Sequence, residues 1–214
     1  MKNFLSGLLI LFIICLSANG AIGQEYNWEY EKTSEGIVVW TRTIEDNNFK
    51  AYKLEATLDA SLKSTLALLS DLEKMTEWYD RVSKLKIIDQ INPKEAKYYL
   101  EIGLPWPVKD RYAIAQCKFD IIHDKKAILE VWLVDEDIKK ETSKVKMSQL
   151  SSRWILEEKT EGITSIIQTG HMDPAGSLPA WLTNRGITES PIKSIKAMRK
   201  RVKDYREAST LLLN

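Results

Sequence analysis

The side chains that could do chemistry are few and badly spaced for it. Only two histidines occur, His123 and His171. His123 sits in the run His123–Asp124–Lys125, a charged turn between two apolar stretches, and reads as a surface turn residue. His171 stands just ahead of the C-terminal helical stretch and is the better placed of the two. A lone histidine is nevertheless more often structural than catalytic. Of two cysteines, Cys15 lies in an apolar leader, so Cys117 alone remains for the folded chain. Two histidines and one thiol do not make a zinc site, which wants several ligands at fixed spacing. No serine stands in a G-x-S-x-G context, and no glycine-rich phosphate loop occurs. Asp135–Glu136–Asp137 is a carboxylate cluster that reads as a solvated loop. The residue inventory therefore names no catalytic group, no metal site and no cofactor.

The elements that must position any site follow from patterning. Lys2, the apolar run Phe4–Leu16 and small residues at Ala18, Gly20, Ala21 and Gly23 form the n-region, h-region and cleavage pattern of a secretory leader. The run is short of the roughly 20 residues of a spanning helix. Ile13 and Ile14 stand where a lipobox before Cys15 wants small residues. Residues 1–23 are read as a signal peptide with cleavage after Gly23 or Gly20, and residues 24–214 as one soluble domain, periplasmic or secreted. Without Lys2, 30 of the 31 basic residues remain against 30 acidic ones. That balance excludes the positive excess a nucleic-acid binder needs.

After a polar segment Glu25–Ser34, which suits a short helix or a sheet edge, Ile37–Thr41 and Phe49–Leu58 read as a hairpin around Asp46–Asn47–Asn48. Asp59 or Ser61 caps a helix through Leu62, Leu66, Leu69 and Leu72, and Met75–Tyr79 reads as a further helical turn. From Lys84 onward the pattern is nearly all strand, reversing at short loops: 85–90, 96–102, 113–122, 127–134, 145–156 and 163–169. An antiparallel sheet follows. Met172–Arg206 closes the chain. Asp173–Pro174 is a helix-start signal. Leu178, Trp181 and Leu182 recur at helical spacing, Gly186 interrupts, and Ser190–Pro191 restarts the pattern. Ile192, Ile195, Met198, Val202 and Tyr205 continue an apolar stripe opposite a basic face. The prediction is one amphipathic helix, kinked or broken near 186–190, lying on the sheet.

The strand at 113–122 carries Ala113, Ala115, Cys117, Phe119 and Ile121 on its buried face, and the small side chains of its first half leave room on a concave sheet. Tyr98, Leu100 and Ile102 face the same way on the strand before. A helix across such a surface encloses an apolar pocket. The alternative is that Trp132, Trp154 and other large groups fill the space. Basic residues from Lys193 to Arg206 face a single acid, Asp204, which suits either a solvated helix face or contact with anionic headgroups.

The strings LPWPVKDR (104–111) and DPAGSLPAWLTN (173–184), with GIVVWTR (36–42) and MTEWYDRV (75–82) in the same order, resemble the START (steroidogenic acute regulatory protein-related lipid transfer) domain, in a bacterial exported form. The resemblance spans roughly Trp28–Arg206. It implies an α+β helix-grip fold: a curved antiparallel β-sheet wrapped around a long C-terminal α-helix, with an internal apolar tunnel for a lipid or other apolar molecule. The tunnel lining it implies takes Trp78, Tyr98, Leu100 and Ile102, then Ala115, Cys117, Phe119 and Trp154. From the C-terminal stretch it takes Met172, Leu178, Trp181, Leu182, Ile195 and Met198. Lys193, Lys196 and Lys200 are the expected membrane contacts. Asp110–Arg111 is expected as an ion pair fixing the loop. In sterol-carrying relatives an acidic and a basic side chain meet inside the tunnel. The matching positions here fall at about Tyr98 and Cys117, both uncharged, so sterol specificity does not carry over. The resemblance implies a monomeric carrier with no cofactor. A cyclase- or dehydratase-like enzyme acting on a bound apolar substrate is the alternative the same fold allows.

Overall fold

The structure is a computed structural model that describes residues 27–136, 143–206 and 212. The leader with its cleavage site and Asp137 lie outside the described residues. Among those residues ten strands form one curved sheet. They are β1 (Glu29–Ser34), β2 (Ile37–Ile44), β3 (Asn47–Leu58), β4 (Val82–Asn92), β5 (Glu95–Ile102), β6 (Arg111–His123), β7 (Lys126–Leu133), β8 (Val145–Lys146), β9 (Gln149–Thr160) and β10 (Ile163–Asp173). Their order is β1-β2-β3-β10-β9-β7-β6-β5-β4, with β8 paired to β6. All pairings are antiparallel except the short parallel one of β8 with β6. Helix α1 (Leu62–Ser70) and a 3-10 turn (Leu72–Glu77) join β3 to β4, and helix α2 (Ala180–Arg201) follows β10. This is the helix-grip arrangement.

Period-two alternation builds the inner face. On β3 it is Tyr52, Leu54, Ala56 and Leu58; on β9, Trp154 and Leu156; on β10, Thr164, Ile166 and Gln168; all are buried. Helix α1 starts where Ser61 accepts a hydrogen bond from the Ser64 backbone N–H at 3.2 Å. The Glu158 carboxylate accepts from the Leu62 N–H at 2.7 Å, an anion held at a helix N-terminus. Leu62, Leu66 and Leu69 then bury one face of the helix.

Of the two alternatives for the polar segment, the sheet edge holds: residues 29–34 are an edge strand. Three local expectations are corrected. The stretch 145–156 is two strands, because Met147 donates its N–H to Tyr112 O beside β6 whereas Ser148 turns to Asp173 O. The helix does not start at Asp173–Pro174. Ala175 and Gly176 hold positive φ (55° and 69°), the Asp173 carboxylate closes a local turn onto Ala175 N at 2.8 Å, and α2 begins only at Ala180. Finally, of the expected kink or break near 186–190 the break falls away: α2 is one helix through Gly186 with Pro191 inside it. The missing Pro191 N–H does not end the helix, because Ile187, Ile192, Ile195 and Met198 bury the turns on either side.

Candidate functional site

A cavity of about 170 Å³ lies between the inner sheet face and the first half of α2. Its sheet wall carries Tyr98, Leu100 and Ile102 of β5, Leu129 and Val131 of β7, Trp154 of β9 and Met172 of β10. Leu69, Met75, Trp78 and Tyr79 cover one side. The β5–β6 loop contributes Leu104 and Pro105, and Leu178, Leu182, Gly186 and Ile187 close the opposite side. The wall is dominated by carbon, the make-up of a site that holds an apolar molecule by burial.

Polar groups are concentrated in one buried network. The Gln168 side-chain amide donates to the Tyr52 hydroxyl at 2.7 Å, to Ser152 at 3.3 Å and to the Tyr79 hydroxyl at 3.4 Å. Tyr52 reaches this position because its β10 partner is Gly170. A Cβ there would stand 2.6–2.8 Å from three atoms of the Tyr52 phenol. Burial, first of all, pushes the hydroxyls of Tyr52, Tyr79 and Tyr98 up from the usual phenol value. They remain neutral donors. The cations on the wall are committed elsewhere. Arg111, buried, donates to the backbone carbonyls of Pro174 (2.6 Å), Ala175 (3.2 Å) and Lys109. Asp110 instead accepts from Leu104 N at 3.0 Å. The two residues do fix the loops on either side of the cavity, but through backbone groups rather than through each other. Burial also lowers the His171 pKa, and its Nε2 faces the Phe49 carbonyl at 3.2 Å.

The residues expected to line a tunnel divide into two sets. Trp78, Tyr98, Leu100, Ile102, Trp154, Met172, Leu178 and Leu182 stand together on the cavity wall. Ala115, Cys117 and Phe119 do not. They are buried in the core cluster, and the Cys117 thiol is pushed up to about 11 by burial. Ile195 and Met198 are also core, because the buried stripe of α2 packs mainly on β3 and secondarily on β2. Trp181 is a correction of the opposite kind: it is 67% exposed. The cavity face of α2 carries Leu182, Gly186, Ile187, Ser190 and Pro191. At 100° per residue Trp181 falls on the other side of the helix.

Of the three lysines expected at a membrane, Lys193 and Lys200 are exposed, whereas Lys196 pairs with Glu35 at 2.7 Å. Arg199 donates to the Thr57 and Glu35 carbonyls, so this half of the helix is tied to the β1–β2 turn. His123 lies in an exposed turn where its Nδ1 accepts from Lys125 N at 3.2 Å. Among the described residues no group of three or more His, Cys, Asp or Glu side chains converges to hold a metal ion.

Sequence reasoning did not find Tyr52, Tyr79, Ser152 and Gln168 as a group. Gln168 left a readable trace, since it occupies the buried parity of β10 between Ile166 and Gly170.

The START domain family model matches residues 14–208. An uncharacterized protein of Pseudomonas aeruginosa is 24% identical over 195 residues, covering 90% of this chain and 96% of that protein. The crystal structure of a STAR-related lipid transfer protein fragment from Xanthomonas axonopodis superposes with a TM-score of 0.74 at 24% identity, over 82% of this chain and 98% of that one. The Zhui aromatase/cyclase of Streptomyces sp. R1128 shares the fold more distantly, with a TM-score of 0.53 at 10% identity over 73% of this chain and 93% of that one.

Proposed function

The chain belongs to the START domain family, and from that premise we propose that it binds a lipid or other apolar small molecule in the cavity beneath α2 and carries it as a monomer. The observation that supports this reading is the cavity itself: a carbon-lined space whose wall residues come from sheet, helix and loop alike. Burial at roughly 25 cal/mol per Å² of apolar surface is sufficient to hold such a ligand without any titrating group. Transfer between membranes, with the basic face of α2 near anionic headgroups, and export through the leader at residues 1–23 belong to the same proposal.

Leu182→Trp tests it. Leu182 is half-buried on the cavity wall, so an indole there fills ligand space with little disturbance of the core. Binding of the apolar dye Nile red is expected to fall about tenfold or more while the melting temperature stays within a few degrees. Undiminished dye binding would place the ligand elsewhere.

A second reading rests on His171, an imidazole on the wall of an apolar cavity. In an enzyme of the cyclase or dehydratase kind it would act as general base, and His171→Ala would cost on the order of 10²–10⁴-fold in turnover. The carrier reading expects the same variant to bind and release unaltered ligand nearly as well as the wild type.

A further inference from the structure

Two buried side chains on the cavity wall carry donor groups that make no hydrogen bond among the described residues. Tyr98 and Trp78 are each 3% exposed, and both line the cavity. The Trp78 Nε1–H is buried without a hydrogen-bond partner. Among the described residues the Tyr98 hydroxyl likewise has none. Folded proteins pair nearly all their buried donors, because an orphan forfeits its hydration with nothing in exchange. The neighbouring network shows the contrast: Tyr52, Tyr79 and Ser152 all accept from Gln168.

The same wall is poor in available positive charge. The Arg111 guanidinium is spent on three backbone carbonyls. Arg81 Nε stands 3.6 Å from Asp80 Oδ2, an oxygen that is itself buried without a hydrogen-bond partner, so the wall already carries a carboxylate that a second anion would meet. Burial holds His171 toward its neutral form. A phosphate or carboxylate placed here would be buried without a counter-charge, whereas a neutral carbonyl would meet waiting N–H and O–H groups.

We infer that the cavity selects an uncharged apolar molecule whose buried polar group is an accepting oxygen, a ketone, ester or amide carbonyl, with Tyr98 and Trp78 as its donors. This deepens, and rests on, the reading of the cavity as a ligand site. Anionic headgroups are excluded from the cavity by the same arrangement.

The test is displacement of Nile red from the purified protein by three C10 competitors at about pH 8, where a fatty acid is ionised. They are decane, methyl decanoate and decanoate. Methyl decanoate is expected to compete about 3- to 10-fold better than decane, the yield of one hydrogen bond, and about tenfold or more better than decanoate. Tyr98→Phe keeps the ring and breaks no hydrogen bond among the described residues, so its melting temperature should stay within a few degrees of wild type, and the readout is the ratio of ester to alkane affinity within each protein. Its preference for the ester over the alkane should shrink toward unity. An ester preference unchanged in Tyr98→Phe, or decanoate competing as well as its ester, would overturn the inference while leaving the ligand site intact. Failure of Nile red to bind wild type would instead overturn the ligand-site reading, and this inference with it.

Discussion

Single side chains set the shape of the cavity, and two of them were legible only in part. Arg111 is recognisable in its motif, yet its work is to hold the carbonyls of Pro174 and Ala175 rather than to pair with Asp110. Hydrogen bonds from a charged donor contribute about 1.5–3 kcal/mol each. Arg111→Met should therefore cost at least about 3 kcal/mol in urea denaturation and weaken Nile red binding, because the loop that closes the cavity loses its tether. Gly170 carries no hydrophobic signal at all. Its role appears only from the register that sets it opposite Tyr52. Gly170→Ala should cost about 1–3 kcal/mol, and much less in a Tyr52→Ala background, as a double-mutant cycle would measure. His171 adds a pH dependence. Its folded-state pKa is lowered by burial, so below about 6.5 the unfolded chain binds the proton that the folded one resists. Its contribution to stability is complete above that value and is lost as pH falls through the lowered one. His171→Gln should flatten this part of the decline in melting temperature between neutral and acid pH.

Strand periodicity made the sheet readable along nearly its whole length, because each strand buries one face and alternation records that directly. Helix α2 was harder. Its composition places the apolar stripe at Ile192, Ile195 and Met198, and that stripe is core. The cavity instead lies under a stretch of mixed composition, from Leu178 to Pro191. Cap and proline signals near Asp173 and Ser190 speak of local backbone preference. They carry no information about Arg111, which claims the carbonyls after Asp173, or about the burial that carries α2 through Pro191. Ligand must enter past one half of α2 or the other, and the basic second half is the one its charge would bring to a membrane surface. Its deep burial and its ties to Glu35 and Thr57 argue that the first half is the moving part. Pro179 provides no side-chain cap there. Amides of residues 184–187 should exchange with deuterium faster than those of 192–202, and Nile red should slow the first group more than the second. Equal protection of both halves would contradict the first half as the moving part. Charge reversal at Lys193 and Lys200 should slow transfer from anionic vesicles and leave neutral ones unaffected, an effect that added salt should mimic.

At the scale of the whole molecule, four motifs in order sufficed for the family, whereas the ligand class we propose rests on three-dimensional facts. Those facts are which donors on the wall are unpaired and which cations are already committed. Export predicts a mature chain beginning at Gln24 or Ala21, which N-terminal sequencing of protein recovered outside the cytoplasm would check; an intact Met1 on a protein held in the inner membrane would refute soluble export. The central claim is that the cavity beneath α2 holds an apolar molecule. Native mass spectrometry of protein purified without detergent tests it most directly, paired with mass analysis of the organic extract. The expected result is one non-covalent adduct per chain, lost on denaturation, recovered in the extract as an uncharged lipid, and missing from Leu182→Trp. A protein that flies at its bare mass, and stays so after incubation with a total lipid extract, would contradict the account.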